Sequence, residues 1–440
     1  HFAREAGIKV LVTDHHLPGK ELPDANVMVN PNLKDDDFPS KALAGVGVVF
    51  YVMLALKHCL QEKNFFSEYN VASPNLLNLL DLVALGTVAD VVPLDANNRI
   101  LVEQGLRRVR AGQCCVGIQA LFEIADGNAS RAVASDFGFT CGPRLNAAGR
   151  LDDMSLGIEC LLTDSLSKAR EIASALNDLN KERRAIETSM KNEAMQELEL
   201  LDLCKTDNLP AVYCLYSESW HQGVVGILAS RIKEMFNRPV IAFAPGDSGE
   251  LKGSARSIQG IHMRDLLDEV ASQNPELLSK FGGHAMAAGL SLNASDFEKF
   301  QQAINEIAQR YNEDDTFLET HFTDGELEVE DFTLETAEVL RSAAPWGQHF
   351  PAPVFDGKFV IQDKKLLKEI HLRLVLQPVP NSTTSSSTAF SIALPVQAIA
   401  FNIDPELWPD VGSEVHILYR FDVNEFRGRL TPQLVIEKLL

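Results

Sequence analysis

Apolar and polar positions in residues 1–160 alternate between strand-like and helix-like patterns. Ile8 to Val12 form a short apolar run typical of a buried strand, and polar residues follow it directly. The stretch 45–60 is apolar with small residues at its start, as in a buried helix, and residues 76–94 combine a helical stretch with a strand-like run. This alternation predicts a parallel sheet covered by helices.

The middle of the chain predicts a long helix followed by a second αβ domain. Residues 165–200 contain neither Gly nor Pro, and their apolar positions recur at helical spacing from Leu166 to Met190. One helix that joins two domains fits this pattern, and two helices of an ordinary bundle are the alternative. Residues 207–312 then alternate between strand and helix patterns again, and the acidic stretch 312–317 indicates a boundary near 313–320.

Residues 321–440 differ in character, because short strand candidates recur and helical patterns are few. This pattern predicts a small barrel or sandwich. The Ser- and Thr-rich run 381–388 predicts a long loop between two strands. We therefore expect an α/β protein with four parts: a partial parallel-sheet domain (1–160), a connecting helix (161–206), an αβ domain (207–315) and a C-terminal β-barrel (320–440).

Composition excludes several classes of protein. Hydrophobic residues make up 45% of the 440 positions and charged residues 23%, as in ordinary globular proteins. The net charge of −21 excludes a general basic coat for nucleic acid but not a local basic groove. The seven cysteines form no CxxC pair, which favours reduced thiols in the cytoplasm. No apolar run is long enough for a membrane helix and no signal peptide is evident, so we expect a cytoplasmic protein, taken to be a monomer.

Two segments are candidates for metal binding. Asp14, His15 and His16 follow the first predicted strand, and ligands bind at the carboxyl ends of strands in parallel sheets. Imidazole and carboxylate groups bind Mn²⁺ or Zn²⁺, although a polar loop at the sheet edge is the alternative. Asp81 lies in an otherwise apolar run, where a buried carboxylate needs a cation or hydrogen bonds, so metal ligation and a helix N-cap are both open. Asp90 closes the same run and is equally typical of a turn.

Several Arg-, Ser- and Gly-rich segments are candidates for phosphate binding. Guanidinium groups pair well with phosphate oxygens, and small residues let backbone amides approach an anion. For the arginines, the alternative is a salt bridge between domains. For His284, the alternative is a packed histidine with no role in binding. A segment that begins with Trp220 either lines the same cleft or serves packing and capping. The phosphate-binding candidates are Arg144, Asn146, Arg150, Ser254, Arg256, Ser257, Gly282, Gly283 and His284.

The predicted barrel interleaves basic and aromatic residues. This pattern suits single-stranded nucleic acid, because bases stack on aromatic rings while phosphates pair with cations. Core aromatics with solvated charges outside are the alternative. The candidate contacts are Tyr419, Arg420, Arg427 and Arg429.

The motifs VTDHHLPG, DLVALGTVADVVPL, GPRLNAAGR, WHQGVVGILASR, GSARS and FGGHAMAAG occur in this order along the chain. Together they resemble the DHH phosphoesterase superfamily and, within it, the RecJ family of single-stranded-DNA-specific exonucleases. The resemblance covers essentially the whole chain. It implies a metal-bearing DHH domain, a long connecting helix, a DHH-associated domain and an oligonucleotide-binding (OB) barrel. The implied activity is 5′-to-3′ hydrolysis of single-stranded DNA to mononucleotides in DNA repair and recombination, with two Mn²⁺ or Mg²⁺ ions.

The resemblance also implies roles for individual residues. His15 and Asp81 would be metal ligands, His16 would contact phosphate or support the metal, and Asp14 would be a ligand or a supporting carboxylate. Ser254, Arg256 and Ser257 would hold DNA phosphate, with Gly282, Gly283 and His284 beside the scissile or terminal phosphate. Arg144, Asn146 and Arg150 would shape a groove between domains.

One departure from the family bears on activity. The Asp-rich motifs that precede DHH in the family are absent from these 440 residues. We therefore expect little or no catalysis by this chain alone. A nano-RNase, a cyclic-dinucleotide phosphodiesterase, a manganese pyrophosphatase and a non-catalytic scaffold that binds single-stranded DNA are the alternatives. Single-stranded DNA is the expected partner, and the resemblance adds a single-strand-binding protein and a helicase.

Overall fold

The structure is a computed structural model that describes residues 2–19, 21–200, 209–246, 249–310, 320–368, 370–379, 394–401, 403 and 405–440. Its contacts divide the chain into two compact units. The first unit comprises residues 1–142, 161–170 and 322–440, and the second comprises 143–160 and 171–321. The acidic stretch 312–317 and the run 381–388, which sequence patterns assigned to a boundary and a loop, lie outside the described residues, as does Cys204.

The N-terminal part of the first unit contains a small parallel sheet. After helix α1 (Phe2–Glu5), strand β1 (Leu11–Thr13) pairs in parallel with β2 (Val27–Val29), and Thr13 lies opposite Val29. The amide of Asp14 donates a hydrogen bond to the carbonyl of Val29 (3.0 Å). The carboxyl ends of both strands therefore lie side by side, as the predicted parallel sheet requires.

Helices account for the rest of this part of the unit. They are α2 (Gly45–Glu62), α3 (Phe65–Glu68), α4 (Leu80–Ala89), α5 (Ala96–Arg110), α6 (Val116–Ile124) and α7 (Ala134–Asp136), and a π-helical turn follows at Phe137–Cys141. The apolar helix α4 packs closely against both α2 and α5: a Cβ at Gly86 would lie 2.7 Å from Val46, and one at Gly105 would overlap the Leu80 carbonyl. The strand-like run at 91–94 is not a strand, because Val91 has a φ of +58° and ends the helix.

The second unit is built on a five-stranded sheet. Helices α8 (Gly142–Leu151) and α9 (Ser155–Leu162) lead into the single long helix α10 (Leu166–Leu200), which excludes the alternative of two bundle helices. The following elements are β3 (Tyr213–Tyr216), α11 (Val225–Phe236), β4 (Val240–Pro245), β5 (Glu250–Arg256), α12 (Met263–Gln273), β6 (Lys280–Gly283), β7 (Ala287–Asn293) and α13 (Phe297–Ala308).

The sheet order is β3-β4-β5-β7-β6, with β3 and β4 parallel and the other pairs antiparallel. Helices α12 and α13 cover one face with a core that includes Phe243, Leu267 and Phe300. On the other face, α10 and α11 pack against β3 and β4. Along β7 and β6 this second face carries the exposed Gly289 and Lys280.

The C-terminal part of the first unit is a closed barrel. Helix α14 (Leu334–Ser342) precedes β8 (Phe355–Leu367), β9 (His371–Pro378), β10 (Val396–Phe401), β11 (Glu414–Phe426) and β12 (Arg429–Leu439), which close in the order β10-β12-β11-β8-β9. Inward side chains such as Phe359, Leu374 and Leu434 fill it. The predicted α/β class and the C-terminal barrel are therefore confirmed. No helix in the described ranges is long and apolar enough to cross a membrane.

Candidate metal centre and phosphate-binding site

The histidine pair follows β1 in a turn that Asp14 organises. Asp14 Oδ1 accepts hydrogen bonds from the His15 amide (2.8 Å), the His16 amide (3.2 Å) and His16 Nδ1 (2.8 Å). Partial burial raises the pKa of Asp14, but the hydrogen bonds from His16 and His15 outweigh it and leave the pKa below its usual value. Because an ionised carboxylate only accepts, Nδ1 of His16 donates the proton of this hydrogen bond.

Two asparagines that sequence patterns did not single out hold the histidine backbone. Asn32 Nδ2 donates to the His15 carbonyl (2.7 Å), and Asn30 Nδ2 donates to the His16 carbonyl (2.8 Å). Asn30 is buried. Both residues follow β2, so they meet the histidines where the two parallel strands end. The signal in the sequence was a polar Asn-Pro-Asn turn directly after an apolar run.

Asp90 is the carboxylate that faces the histidine pair. It follows α4, and its Oδ2 lies 3.3 Å from Nε2 of the mostly buried His15. Two donors of one octahedral ion, each about 2.1 Å from it, are about 3.0 Å apart. The pair therefore has the spacing and the imidazole–carboxylate chemistry of two ligands that share a divalent cation. No cluster of three or more potential metal-binding side chains occurs within the described residues.

The prediction that Asp81 shares a metal with His15 is wrong. Asp81 lies at the start of α4 and Asp90 just beyond its end, so about 13 Å of helix separates them. Asp81 is 1% exposed, its Oδ2 accepts a hydrogen bond from the Cys115 amide (2.7 Å), and its Oδ1 lies 4.0 Å from Arg108 Nε. The helix N-cap alternative does not hold either, because Asp81 lies inside the first turn of α4 and the N-cap is Leu79. Its carboxylate instead holds the backbone of Cys115, the residue that precedes α6.

A cationic pocket lies in the second unit at the start of α11. Arg256 Nη1 donates to Ser254 Oγ (3.0 Å), and both groups lie over the backbone of Gly226 in the first turn of that helix. A Cβ at Gly226 would lie 2.8 Å from Arg256 Nη2 and 2.9 Å from Ser254 Oγ. Only glycine leaves this space, which lies at the positive end of a helix dipole. The Val225 and Ile227 amides beside it already donate to the carbonyls of His221 and Val224.

A further arginine borders this pocket. Arg150 Nη1 donates to the carbonyl of Gly223, which lies two residues before α11 (2.9 Å). Burial lowers the pKa of Arg256, and the charge of Arg150 lowers it further. Burial also lowers the pKa of Arg183 on α10, Glu187 opposes that change, and Arg150 adds to it. Arg183 pairs with Glu187 (3.0 Å), so its charge is already compensated. Within the described residues neither Arg150 nor Arg256 forms an ion pair with a carboxylate, so this concentration of charge suits an anion. Arg183 was not predicted, because the long helix carries many charges that face water.

The structure separates the remaining phosphate candidates. Ser257 is buried and its hydroxyl donates to the Ile261 carbonyl (2.7 Å), so its predicted phosphate contact is wrong. Gly282 and Gly283 end β6, and cross-strand pairing aligns Gly282 with Gly289 and Gly289 with Ser254. Gly283 has a φ of +146° and approaches the Ala287 carbonyl too closely for any Cβ. His284 is exposed in the turn that follows.

Helix α8 carries the last three candidates. Arg144 Nε donates to Asn177 on α10 (3.1 Å), which assigns it a contact inside the second unit. Asn146 and Arg150 are exposed and four residues apart, so they share one face of the helix. Trp220 is buried and its indole donates to Glu193 (3.0 Å), as the packing alternative predicted.

The barrel candidates divide in the same way. Tyr419 is 1% exposed within the barrel core, so its predicted contact with DNA is wrong. Arg420 pairs with Glu437 (2.6 Å). Arg427 and Arg429 lie in the hairpin between β11 and β12, where the guanidinium of Arg427 is 5.2 Å from the ring centroid of the exposed Phe426.

Comparisons with known proteins relate most of the chain to one family. The DHH family, N-terminal domain, matches residues 1–87, the DHHA1 domain matches residues 208–310, and the RecJ OB domain matches residues 323–438. The chain is 53% identical over 438 residues to the single-stranded-DNA-specific exonuclease RecJ of Salmonella typhimurium. That alignment covers 99% of this chain and 74% of the relative.

Two crystal structures of RecJ from Thermus thermophilus have similar folds. The complex with Mg²⁺ matches with a TM-score of 0.72 and 27% identity over 98% of this chain. The complex with Mn²⁺ matches with a TM-score of 0.74 and 29% identity over 99% of this chain. This chain spans 60% and 58% of the length of those two solved chains.

Proposed function

The chain belongs to the RecJ family of single-stranded-DNA-specific exonucleases, and we propose that the protein hydrolyses single-stranded DNA from the 5′ end to mononucleotides, in DNA repair and recombination, with Mn²⁺ or Mg²⁺. The observation that supports this most directly is the pairing of His15 with Asp90 at the carboxyl end of a parallel strand. The expectation of weak hydrolysis by these 440 residues alone stays a prediction.

His15 and Asp90 would hold the divalent cation, with further ligands from water, substrate or the rest of the protein. When bound, the cation supplies Lewis-acid stabilisation of the negative charge that develops on the phosphoryl oxygens. Asn32 and Asn30 hold the histidine backbone, so the His15 ring is presented in one position. Asp14 accepts a hydrogen bond from Nδ1 of His16, so Nε2 would be the ring nitrogen left for the substrate.

The cationic pocket of the second unit would bind a phosphate of the strand. Arg256 and Arg150 supply charge, Ser254 supplies a hydroxyl, and the start of α11 supplies the positive end of its helix dipole. His284 and the small residues Gly282 and Gly289 would leave room beside it for the sugar–phosphate backbone. In the barrel, Phe426 would stack on a base while Arg427 and Arg429 pair with phosphates.

A substrate comparison tests the proposal. A 5′-phosphorylated single strand, its duplex, a circular single strand and a dinucleotide are incubated with the protein and Mn²⁺, and released mononucleotides are quantified. We expect release from the linear single strand alone, and loss of release in His15→Ala. Preference for the dinucleotide would instead support a nano-RNase. Tight binding by these 440 residues without any release would agree with the predicted weak hydrolysis, and it would support a scaffold if Mn²⁺ also fails to bind.

Partners and location belong to the same proposal. An enzyme restricted to single strands acts after a duplex has been opened, which is the reason to propose a helicase and a single-strand-binding protein as partners. No disulfide joins the six cysteines in the described ranges, as expected in a reducing compartment, and we propose the cytoplasm.

A further inference from the structure

A cavity of about 560 Å³ lies within the first unit, between the helical part and the barrel. Its walls come from the loop after α4, the π-helical turn, the segment that leads into the barrel, and strands β11 and β12. Most of its lining is apolar: Val88, Val91, Leu94, Phe139, Trp346 and Pro353 are examples. Its size is that of an ordinary small-molecule site.

This cavity adjoins the candidate metal centre. Val88 and Val91 line it, and Asp90 lies between them in the chain. A strand whose phosphate is held by a cation at Asp90 would therefore pass its neighbouring nucleotides over this opening. Adjacent nucleotides are only about 3.4 Å apart along a stacked strand.

Two irregular backbone segments expose apolar side chains at the cavity. Val91 has a φ of +58°, which is unfavourable for a β-branched residue, and it is 64% exposed. Phe139 lies in the π-helical turn and is 78% exposed. Conformations of this kind are concentrated at functional sites, and both present apolar surface to solvent where burial would be favourable.

The charges that line the cavity indicate that its ligand is uncharged. The two arginines in the lining are already paired, Arg341 with Asp422 (2.9 Å) and Arg420 with Glu437 (2.6 Å), so the lining carries no unpaired cation for a phosphate or an acidic peptide. Trp346 is fixed, because its indole donates to the Leu340 carbonyl (2.8 Å) and its ring stacks on Phe350. The site is therefore largely apolar and electrically balanced, which suits a flat uncharged ring.

We propose that this cavity binds a nucleobase of the single strand whose backbone lies at Asp90, with the ring of Phe139 stacked on the base. The inference rests on the proposed function, since it assigns a subsite for the same substrate. Stacking is tolerant of sequence, because every base has an aromatic face. The cavity therefore contributes affinity and positions the strand without selecting a base.

The test places a single 2-aminopurine at successive positions from the 5′ end of a 5′-phosphorylated oligonucleotide with non-hydrolysable linkages, so that Mn²⁺ is present and no strand is cut. We expect fluorescence to fall at least twofold at one position near the 5′ end. Phe139→Ala should abolish that fall, whereas Phe139→Tyr should retain it. Phe322→Ala is the matched control, because Phe322 is equally exposed but does not line the cavity.

A second arm measures the same contact by affinity. An abasic site at the responsive position should weaken binding by about tenfold in the parent protein and by less than twofold in Phe139→Ala. Equal weakening in both proteins would overturn the proposal, as would fluorescence that is unchanged at every position of a bound strand. Neither result would contradict the proposed DNA binding and mononucleotide release. An oligonucleotide that the parent protein neither binds nor cuts with Mn²⁺ would instead contradict the proposed function, and the base site with it.

Discussion

At the scale of single residues, two aspartates at opposite ends of α4 have opposite surroundings. Asp81 is enclosed, bonded to the Cys115 amide and close to Arg108. Asp90 is 44% exposed and faces His15. A carboxylate that is buried and bonded to the protein contributes to stability, while one that is open beside an imidazole is available to a ligand.

Substitution of these aspartates should separate stability from metal binding. Asp90→Ala should weaken Mn²⁺ binding at least tenfold and leave the free energy of unfolding nearly unchanged. Asp81→Ala should lower that free energy by about 2 kcal/mol, because it leaves the Cys115 amide without its acceptor and removes the charge beside Arg108, and should leave Mn²⁺ affinity unchanged. Titration calorimetry and urea unfolding measure the two quantities. Weaker Mn²⁺ binding in Asp81→Ala, with unchanged binding in Asp90→Ala, would show that Asp81 is the metal ligand.

At the scale of elements, the start of α11 depends on one glycine. Gly226 leaves space for Arg256 and Ser254 above the first helical turn. An added methyl group would displace the guanidinium, while alanine itself favours the helix.

Gly226→Ala should therefore weaken binding of a phosphorylated oligonucleotide about tenfold or more without lowering the thermal midpoint of unfolding. Ser230→Ala, one turn further along α11, is the matched control and should bind as the parent does. Fluorescence anisotropy and circular dichroism provide the two readouts. Unchanged binding by the alanine variant would show that the pocket does not hold a phosphate.

A second element-scale contact joins α10 to the loop before α11. The hydrogen bond from Ser217 is the largest influence on Glu193 and lowers its pKa, and bonds from Ser219 and Trp220 lower it further against the opposing effect of partial burial. A carboxylate whose pKa is lower in the folded state stabilises the fold above its unfolded pKa and loses that contribution as the pH falls through the folded value.

The stability that Glu193 contributes should therefore be complete near pH 6 and should diminish from about pH 5 downward. Glu193→Gln removes the charge while keeping an acceptor for the hydroxyls. The difference in unfolding free energy between the parent and this variant should shrink steadily between pH 6 and pH 3. A difference that grows on acidification would mean that the charged form is not the one that these bonds stabilise.

At the scale of the whole molecule, the net negative charge repels DNA phosphates, and only local clusters of arginines attract them. The net charge is −21, yet Arg150 and Arg256 come together in one pocket and Arg427 and Arg429 in one hairpin. Distant acidic residues are screened at physiological salt, whereas contacts within a few ångströms are not.

Binding of a long single strand should accordingly weaken steeply with salt, with a logarithmic slope of about −0.7 for each phosphate paired. Arg256→Ala should reduce the size of that slope by about 0.7. Anisotropy titrations between 50 and 300 mM salt (about this range) measure both slopes. An affinity independent of salt would contradict binding led by phosphates.

Local patterns were sufficient for much of the architecture. Alternating apolar runs predicted the parallel strands, and the stretch without Gly or Pro predicted the long helix α10. The recurring short strand candidates predicted the barrel. The position of His15 and His16 at a strand end was also predictable, because the carboxyl end of a parallel strand is where its loop meets the neighbouring strand.

Tertiary structure decided which side chains share a site. Asp81 and Asp90 belong to one motif, and only the packing of α4 against α2 and α5 directs one to Arg108 and the other to His15. Ser257 was predicted to share a site with Ser254, and Tyr419 with Arg420, but both Ser257 and Tyr419 are buried. Arg183 and Arg256 are 73 residues apart and meet at Arg150 through the fold. Sequence periodicity sets which face of an element is apolar, whereas the partner of a polar group depends on contacts between distant segments, which no local pattern encodes.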